Sequence, residues 1–156
     1  MKKSFIFLAL PALLSGCSFG ESPSASTGDI GENATSEYEE ENAMKVEVNG
    51  HIFEAELYEG ETAAAFASLL PLRLYMQELN GNEKYHYLSS PLPSEPEMVG
   101  TIRAGDIMLF DSSCVVLFYD SFDTPYSYTR IGRIKDPSGL KEAVGEGDCR
   151  VSFALN

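Results

Sequence analysis

The stretch GDIMLFDSSCVVLFY, residues 105–119, constrains the fold more than any other. Gly105 and Asp106 open a strand that runs through Ile107, Met108, Leu109 and Phe110. Asp111, Ser112 and Ser113 are turn residues, because their short polar side chains bond nearby backbone. From Cys114 to Tyr119 the chain is an unbroken apolar run. A run this short, rich in β-branched and aromatic residues, is a strand buried on both faces rather than a helix. The pair predicts a hairpin near the middle of an all-β core.

The flanking segments can be laid against that hairpin. Residues 45–48 alternate as a strand, and Asn49-Gly50 is a two-residue hairpin turn, since both positions tolerate positive φ. The return strand, 51–58, places Phe53, Ala55 and Leu57 on one face and Ile52, Glu54 and Glu56 on the other. Residues 61–70 read as a helix rich in alanine, with Phe66, Leu69 and Leu70 on one stripe and Pro71 stopping it. A third strand spans 72–76. Asn80-Gly81-Asn82 turns the chain into 84–88, where Tyr85 and Tyr87 share a face and His86 points the other way. Three prolines make 89–100 a long loop, and 120–125 is a second one. A strand at 127–135 follows. Asp136 and Pro137 then read as N-cap and first residue of a second helix that Gly145 ends. Residues 149–155 form the last strand. About eight strands with two short helices over the openings predict a mainly β fold, a small closed barrel without free edges.

The N-terminal end has a different character. Met1-Lys2-Lys3 is basic, residues 5–14 are apolar, and Leu14-Ser15-Gly16-Cys17 follows. An apolar stretch of this length falls short of the roughly 20 residues of a membrane span and fits a secretory signal. The last four residues resemble the lipobox of bacterial lipoproteins. That resemblance implies cleavage after residue 16, lipidation of Cys17, and a domain held outside the cytoplasm by a membrane anchor. Residues 18–43 contain seven acids and no Lys or Arg, the composition of a disordered tether. Such a chain spans roughly 25–30 Å root-mean-square. The domain organisation is therefore signal 1–16, lipidated tether 17–43 and barrel 44–156. The net charge of -13 opposes nucleic acid as a partner.

The order of elements resembles the cyclophilin fold. A strand, the NG turn, ELY and a TAAAFASLLP helix match its opening. AGDIMLF, CVVLFY, YSYTRIGRI and DPSGLKEAVG match its second half. The segments LNGNEKYHYL and YSYTRIGRI are most similar to a bacterial cyclophilin-like domain family. The resemblance implies a cyclophilin-like barrel over nearly all of 44–154. The Phe-His-Arg strand and Gln-Gly-Gly segment of the prolyl isomerases are absent, and Arg73 stands on a different motif. Without a guanidinium beside an apolar proline slot, the main electrostatic contribution to that reaction is missing. No residue is assigned a catalytic role.

Candidate chemistry elsewhere is sparse. His51 and His86 have no Cys, Asp or Glu at metal-ligand spacing, and neither a metal nor a cofactor is expected. Asp111, Asp120 and Asp123 are loop acids without the pattern of a Ca²⁺ site. Cys114 and Cys149 both start strands; a disulfide between them and a pair of small buried residues both remain open. The most suggestive set is aromatic: Tyr85, Tyr87, Phe118, Tyr119, Phe122, Tyr126 and Tyr128. Of these, Tyr85, Tyr87, Phe122, Tyr126 and Tyr128 are expected to line the barrel mouth as a site for a peptide or small molecule, with Arg103 and Arg130 as carboxylate contacts. Packing inside the core is the competing reading for several of these rings. The function that follows is a membrane-anchored binding module without catalysis. A divergent peptidyl-prolyl isomerase and a structural or assembly protein of the envelope are the alternatives.

Overall fold

The computed structural model describes residues 42–156. The expected signal segment 1–16, Cys17 and the expected tether up to residue 41 lie outside the described residues. The strands are β1 (Ala43–Val48), β2 (His51–Leu57), β3 (Leu72–Leu79), β4 (Glu83–Tyr87), β5 (Glu97–Met98), β6 (Thr101–Ile102), β7 (Asp106–Phe110), β8 (Cys114–Phe118), β9 (Phe122–Asp123), β10 (Ser127–Ile134) and β11 (Cys149–Leu155). The helices are α1 (Glu61–Ala67) and α2 (Leu140–Val144).

Neighbouring strands run β2-β1-β11-β3-β4-β8-β7-β10, and β10 pairs back onto β2. The sheet is therefore a closed barrel of eight antiparallel strands. The short β5 adds to β10, and β6 with β9 forms a separate ribbon. The Asn49-Gly50 turn has φ of 48° and 91°, the conformation that its residues favour. The seam depends on Gly132, which stands opposite Leu57. A Cβ there would sit 2.3 Å from the Glu56 carbonyl oxygen.

Inward-facing residues fill the barrel. Val46, Val48, Met76, Ile107, Leu109, Val115, Leu117, Ile131, Val151 and Phe153 are all buried in one cluster. The helices plug opposite ends. Phe66 of α1 meets Phe153 edge-on with centroids 5.4 Å apart, near the end of β11. At the other end Asn49 Nδ2 donates to the Ala143 carbonyl of α2 at 2.9 Å. Both helices are shorter than the sequence suggests. α1 stops at Ala67, before the cis Leu70-Pro71 bond. α2 begins at Leu140 because Asp136 and Pro137 make a turn instead: Asp136 accepts the Ser138 N–H, and Pro137 accepts that of Leu140.

A second core lies outside the wall. Met108, Cys114, Val116, Phe118 and Tyr128 point outward and are buried with Ile102, against partly buried Tyr85, Val99, Phe110 and Phe122. The segments carrying Val99 and Phe122 cover this face. That is why β8 is buried on both sides: Val115 and Leu117 face in, while Cys114, Val116 and Phe118 face out beneath the loops.

Candidate functional site

Period-two alternation fixes which side chains of the wall share a surface. Across β3, β4 and β8, Leu79 stands opposite Glu83, and Glu83 opposite Phe118. Tyr85 pairs with Val116, and Tyr87 with Cys114. These residues all face outward. The loop 120–126 closes over them, pinned by the Thr124 amide on the Gly100 carbonyl at 2.8 Å and by Thr101 Oγ1 on Asp123 Oδ1 at 2.8 Å. Together they enclose a cleft of about 490 Å³.

All five expected ligand residues, Tyr85, Tyr87, Phe122, Tyr126 and Tyr128, line this cleft. Its position corrects the expectation. The cleft is on the outer wall and not at the barrel mouth, because the mouths are taken up by α1 and α2 and the tyrosines alternate away from the lumen. Phe110, Cys114 and Val116 form part of its base. Phe118 anchors the rings from below, edge-on to Tyr128 at 5.4 Å and to Phe122 at 5.8 Å. Tyr85 and Tyr87 meet at 5.9 Å, and Phe110 meets Tyr126 at 6.4 Å. Tyr87 and Tyr126 form an exposed rim, while Tyr128 is buried. Burial pushes the Tyr128 hydroxyl up to about 12, helped by the nearby Glu83 charge.

Other members of the aromatic set fall elsewhere. Tyr119 turns into the barrel, where its hydroxyl donates to Glu78 at 2.9 Å. Arg103 and Arg130 line a different groove beside Tyr58 and Arg133, and Arg130 Nε donates to Glu97 at 2.7 Å. They are not carboxylate contacts of the cleft. Arg73 lines a third groove with Glu47 and Arg150.

Cys114 and Cys149 are both free thiols. The bond left open by the sequence does not form. Cys149 faces the lumen on β11 and Cys114 faces out on β8, with β3 and β4 between them. That is three strand spacings, roughly 14 Å along the wall, where a disulfide needs Cα atoms within about 7 Å. Burial pushes the Cys114 thiol up to about 11, with the Glu83 and Asp111 charges adding. It stays protonated at neutral pH and is no nucleophile. His86 Nδ1 lies 2.9 Å from the Tyr75 carbonyl, away from the cleft. Asp120 pairs with Lys141 and Asp123 with Thr101, so the loop acids do not converge. Among the described residues no cluster could hold a metal ion, and no helix is long and apolar enough to cross a membrane.

One residue of the site escaped the sequence reading. Glu83 opens β4 beside Tyr85 and lines the cleft. It is only 9% exposed. Among the described residues its carboxylate has neither a hydrogen-bond donor nor a cation. Burial pushes it above the ordinary carboxylate range, and the Glu78 charge pushes the same way. The signal available was its place in the alternation with Tyr85 and Tyr87.

The model of the cyclophilin-like family matches residues 46–154. The chain belongs to the cyclophilin-like family. The match spans the closed barrel and both helices of this cyclophilin-like domain, including every residue of the cleft. No curated protein matches the chain. Among solved structures, the solution structure of the hypothetical protein AF2241 from Archaeoglobus fulgidus is similar, with 23% identity and a TM-score of 0.49. The similarity covers 73% of this chain and 94% of that one.

Proposed function

We propose that this cyclophilin-like domain is a binding module that holds a peptide or small molecule in its outer-wall cleft, with no chemical step, and that Cys17 anchors it to a membrane by lipidation. The observation that carries the binding reading is the cleft itself: about 490 Å³, walled by tyrosine and phenylalanine rings on a rigid hairpin, a size and lining that suit ligands. Tyrosines give contact area at low entropic cost and present a polar tip. Against catalysis stands the chemistry of the lining. Among the described residues its one thiol is held protonated, and Arg73, Arg103 and Arg130 lie in other grooves. Twisting an X-Pro bond draws on a guanidinium beside the amide nitrogen, which this cleft does not supply.

A coupled prolyl-peptide assay and an NMR titration with the same peptide test the reading together. The expected result is shifts of the cleft tyrosine signals with no acceleration of isomerisation. Tyr126→Ala should weaken that binding several-fold while leaving the barrel folded, since Tyr126 is an exposed rim residue. Clear turnover, or unchanged affinity in Tyr126→Ala, would overturn the reading. The anchor is tested separately by mass spectrometry of the membrane fraction, where an unmodified Cys17 would refute it.

A further inference from the structure

The cleft has a polar asymmetry. Among the described residues Glu83 and Asp123 are its carboxylates, and no Lys or Arg lines it. Glu83 is nine-tenths buried, faces the tyrosine rings and has no donor among the described residues. Beside it, Asn82 buries its side-chain oxygen without a donor. A buried acceptor left unpaired is costly, and the Asn82 oxygen is one. Beside it the Glu83 carboxylate opens on the cleft without a donor among the described residues, so this side of the cleft is where a donor belongs. The rings add a second preference, because the faces of tyrosine and phenylalanine attract cations and do so more strongly where water is excluded.

On the reading of the cleft as a binding site, we infer that its ligand enters through a cationic nitrogen, an amine or a guanidinium, seated on the Tyr85 and Tyr128 rings with Glu83 as counter-ion. A side chain of arginine or lysine in a peptide has this chemistry, with an apolar stem to lie along Val116 and Phe110. The cation converts the unpaired carboxylate into a charge-assisted hydrogen bond, the strong kind. The acidic surface of the chain, with its net charge of -13, draws such ligands in.

The test is an NMR titration of the full chain with N-acetyl-arginine methylamide, its neutral isostere N-acetyl-citrulline methylamide, and a neutral proline-containing peptide. The arginine compound should shift the Tyr85 and Tyr128 ring signals with an affinity about tenfold above that of the citrulline compound. Glu83→Gln, which keeps the shape, should abolish that preference while the spectrum outside the cleft stays unchanged. If Glu83→Gln fails to fold, the wild-type comparison of arginine with citrulline decides alone. Equal affinity for the two compounds at the cleft overturns the inference and leaves the binding-module reading standing. A preference that survives in a folded Glu83→Gln also overturns it. Absence of shifts at the cleft with all three probes removes both.

Discussion

Lys84 and Tyr119 meet inside the barrel, the ammonium nitrogen 5.1 Å from the centre of the ring. Lys84 is completely buried, yet every donor it carries is engaged: it pairs with Glu78 and donates to the carbonyls of Gly145 and Gly147. Those glycines follow α2, so one lysine ties β3, β4 and the α2 plug together.

Lys84→Met should therefore cost about 2–4 kcal/mol, because it removes the bonds of a fully buried ammonium to Glu78 and to the Gly145 and Gly147 carbonyls. Denaturant unfolding should show the loss as a lower midpoint with an unchanged slope. Burial alone would raise the Glu78 carboxyl, but its bonds with Lys84, Tyr119 and the Gly81 amide outweigh that and hold it below the ordinary carboxylate range. Glu78 thus contributes stability above the unfolded carboxylate range, and the domain loses it as pH falls through the lowered value. The acid limb of a Tm–pH curve should be flatter in Glu78→Gln.

The sign reverses at Glu83. Its carboxyl is raised, by burial first and then by Glu78, so the unfolded chain ionises more readily than the fold. The groups facing it are Leu79 from β3, Cys114 and Phe118 from β8, Tyr128 from β10, and Asp123 from the covering loop, while the Glu78 charge acts from the other side of the wall. None is a cation. Glu83→Gln should raise Tm by a few degrees at neutral pH, with the gain vanishing below the ordinary carboxylate range. A variant that is more stable and binds a cationic probe less well is the pattern of a site kept at the expense of stability. An unchanged or lower Tm at neutral pH would contradict the burial argument.

These two neighbours mark where the sequence was legible and where it was not. Alternation in EKYHY assigns Tyr85 and Tyr87 to one face and Lys84 and His86 to the other, and the structure keeps that division. What alternation cannot give is which face is the lumen. The barrel-mouth expectation for the tyrosines comes from the cyclophilin-like arrangement and not from the alternation. In fact Lys84 goes in, because Glu78 directly opposite on β3 and the carbonyls after α2 satisfy it. Those partners lie 6 and more than 60 positions away in the chain. Residues 114–119, by contrast, needed no partner to be read: an unbroken apolar run implies cover on both faces, and the loops supply it.

The free thiols give a third expectation. With Cys114 on the outer face and Cys149 in the lumen, no bond can form without unfolding the wall. Burial raises both thiols, so the native protein should react slowly with a thiol reagent at neutral pH. After unfolding without reductant, alkylation and mass measurement should show both as modified. A Cys114–Cys149 crosslink in protein secreted to an oxidising compartment would mean that the strand order differs from the one described.

The seam that closes the barrel contains one very close backbone approach. Gly132 opposes Leu57 where β10 returns to β2, beside the register shift between Arg130 and Gly132. Its backbone is ordinary, so any residue could adopt the conformation there. The constraint is space: an added methyl would lie 2.3 Å from the Glu56 carbonyl oxygen and 3.2 Å from the Leu57 Cα, and backbone cannot yield as a flexible side chain can. Gly132→Ala should therefore cost at least about 1–3 kcal/mol, by overpacking. The cost arises from strain at the seam, so amide exchange in β2 and β10 should accelerate before that in β4 and β8. Tyr128 at the start of β10 is the cleft residue on the seam strand, while Glu83, Tyr85, Tyr87, Cys114 and Val116 stand on β4 and β8, so a folded Gly132→Ala should keep most of its ligand affinity. Uniform loss of protection across all eight strands would mean instead that the seam and the cleft wall open as one unit.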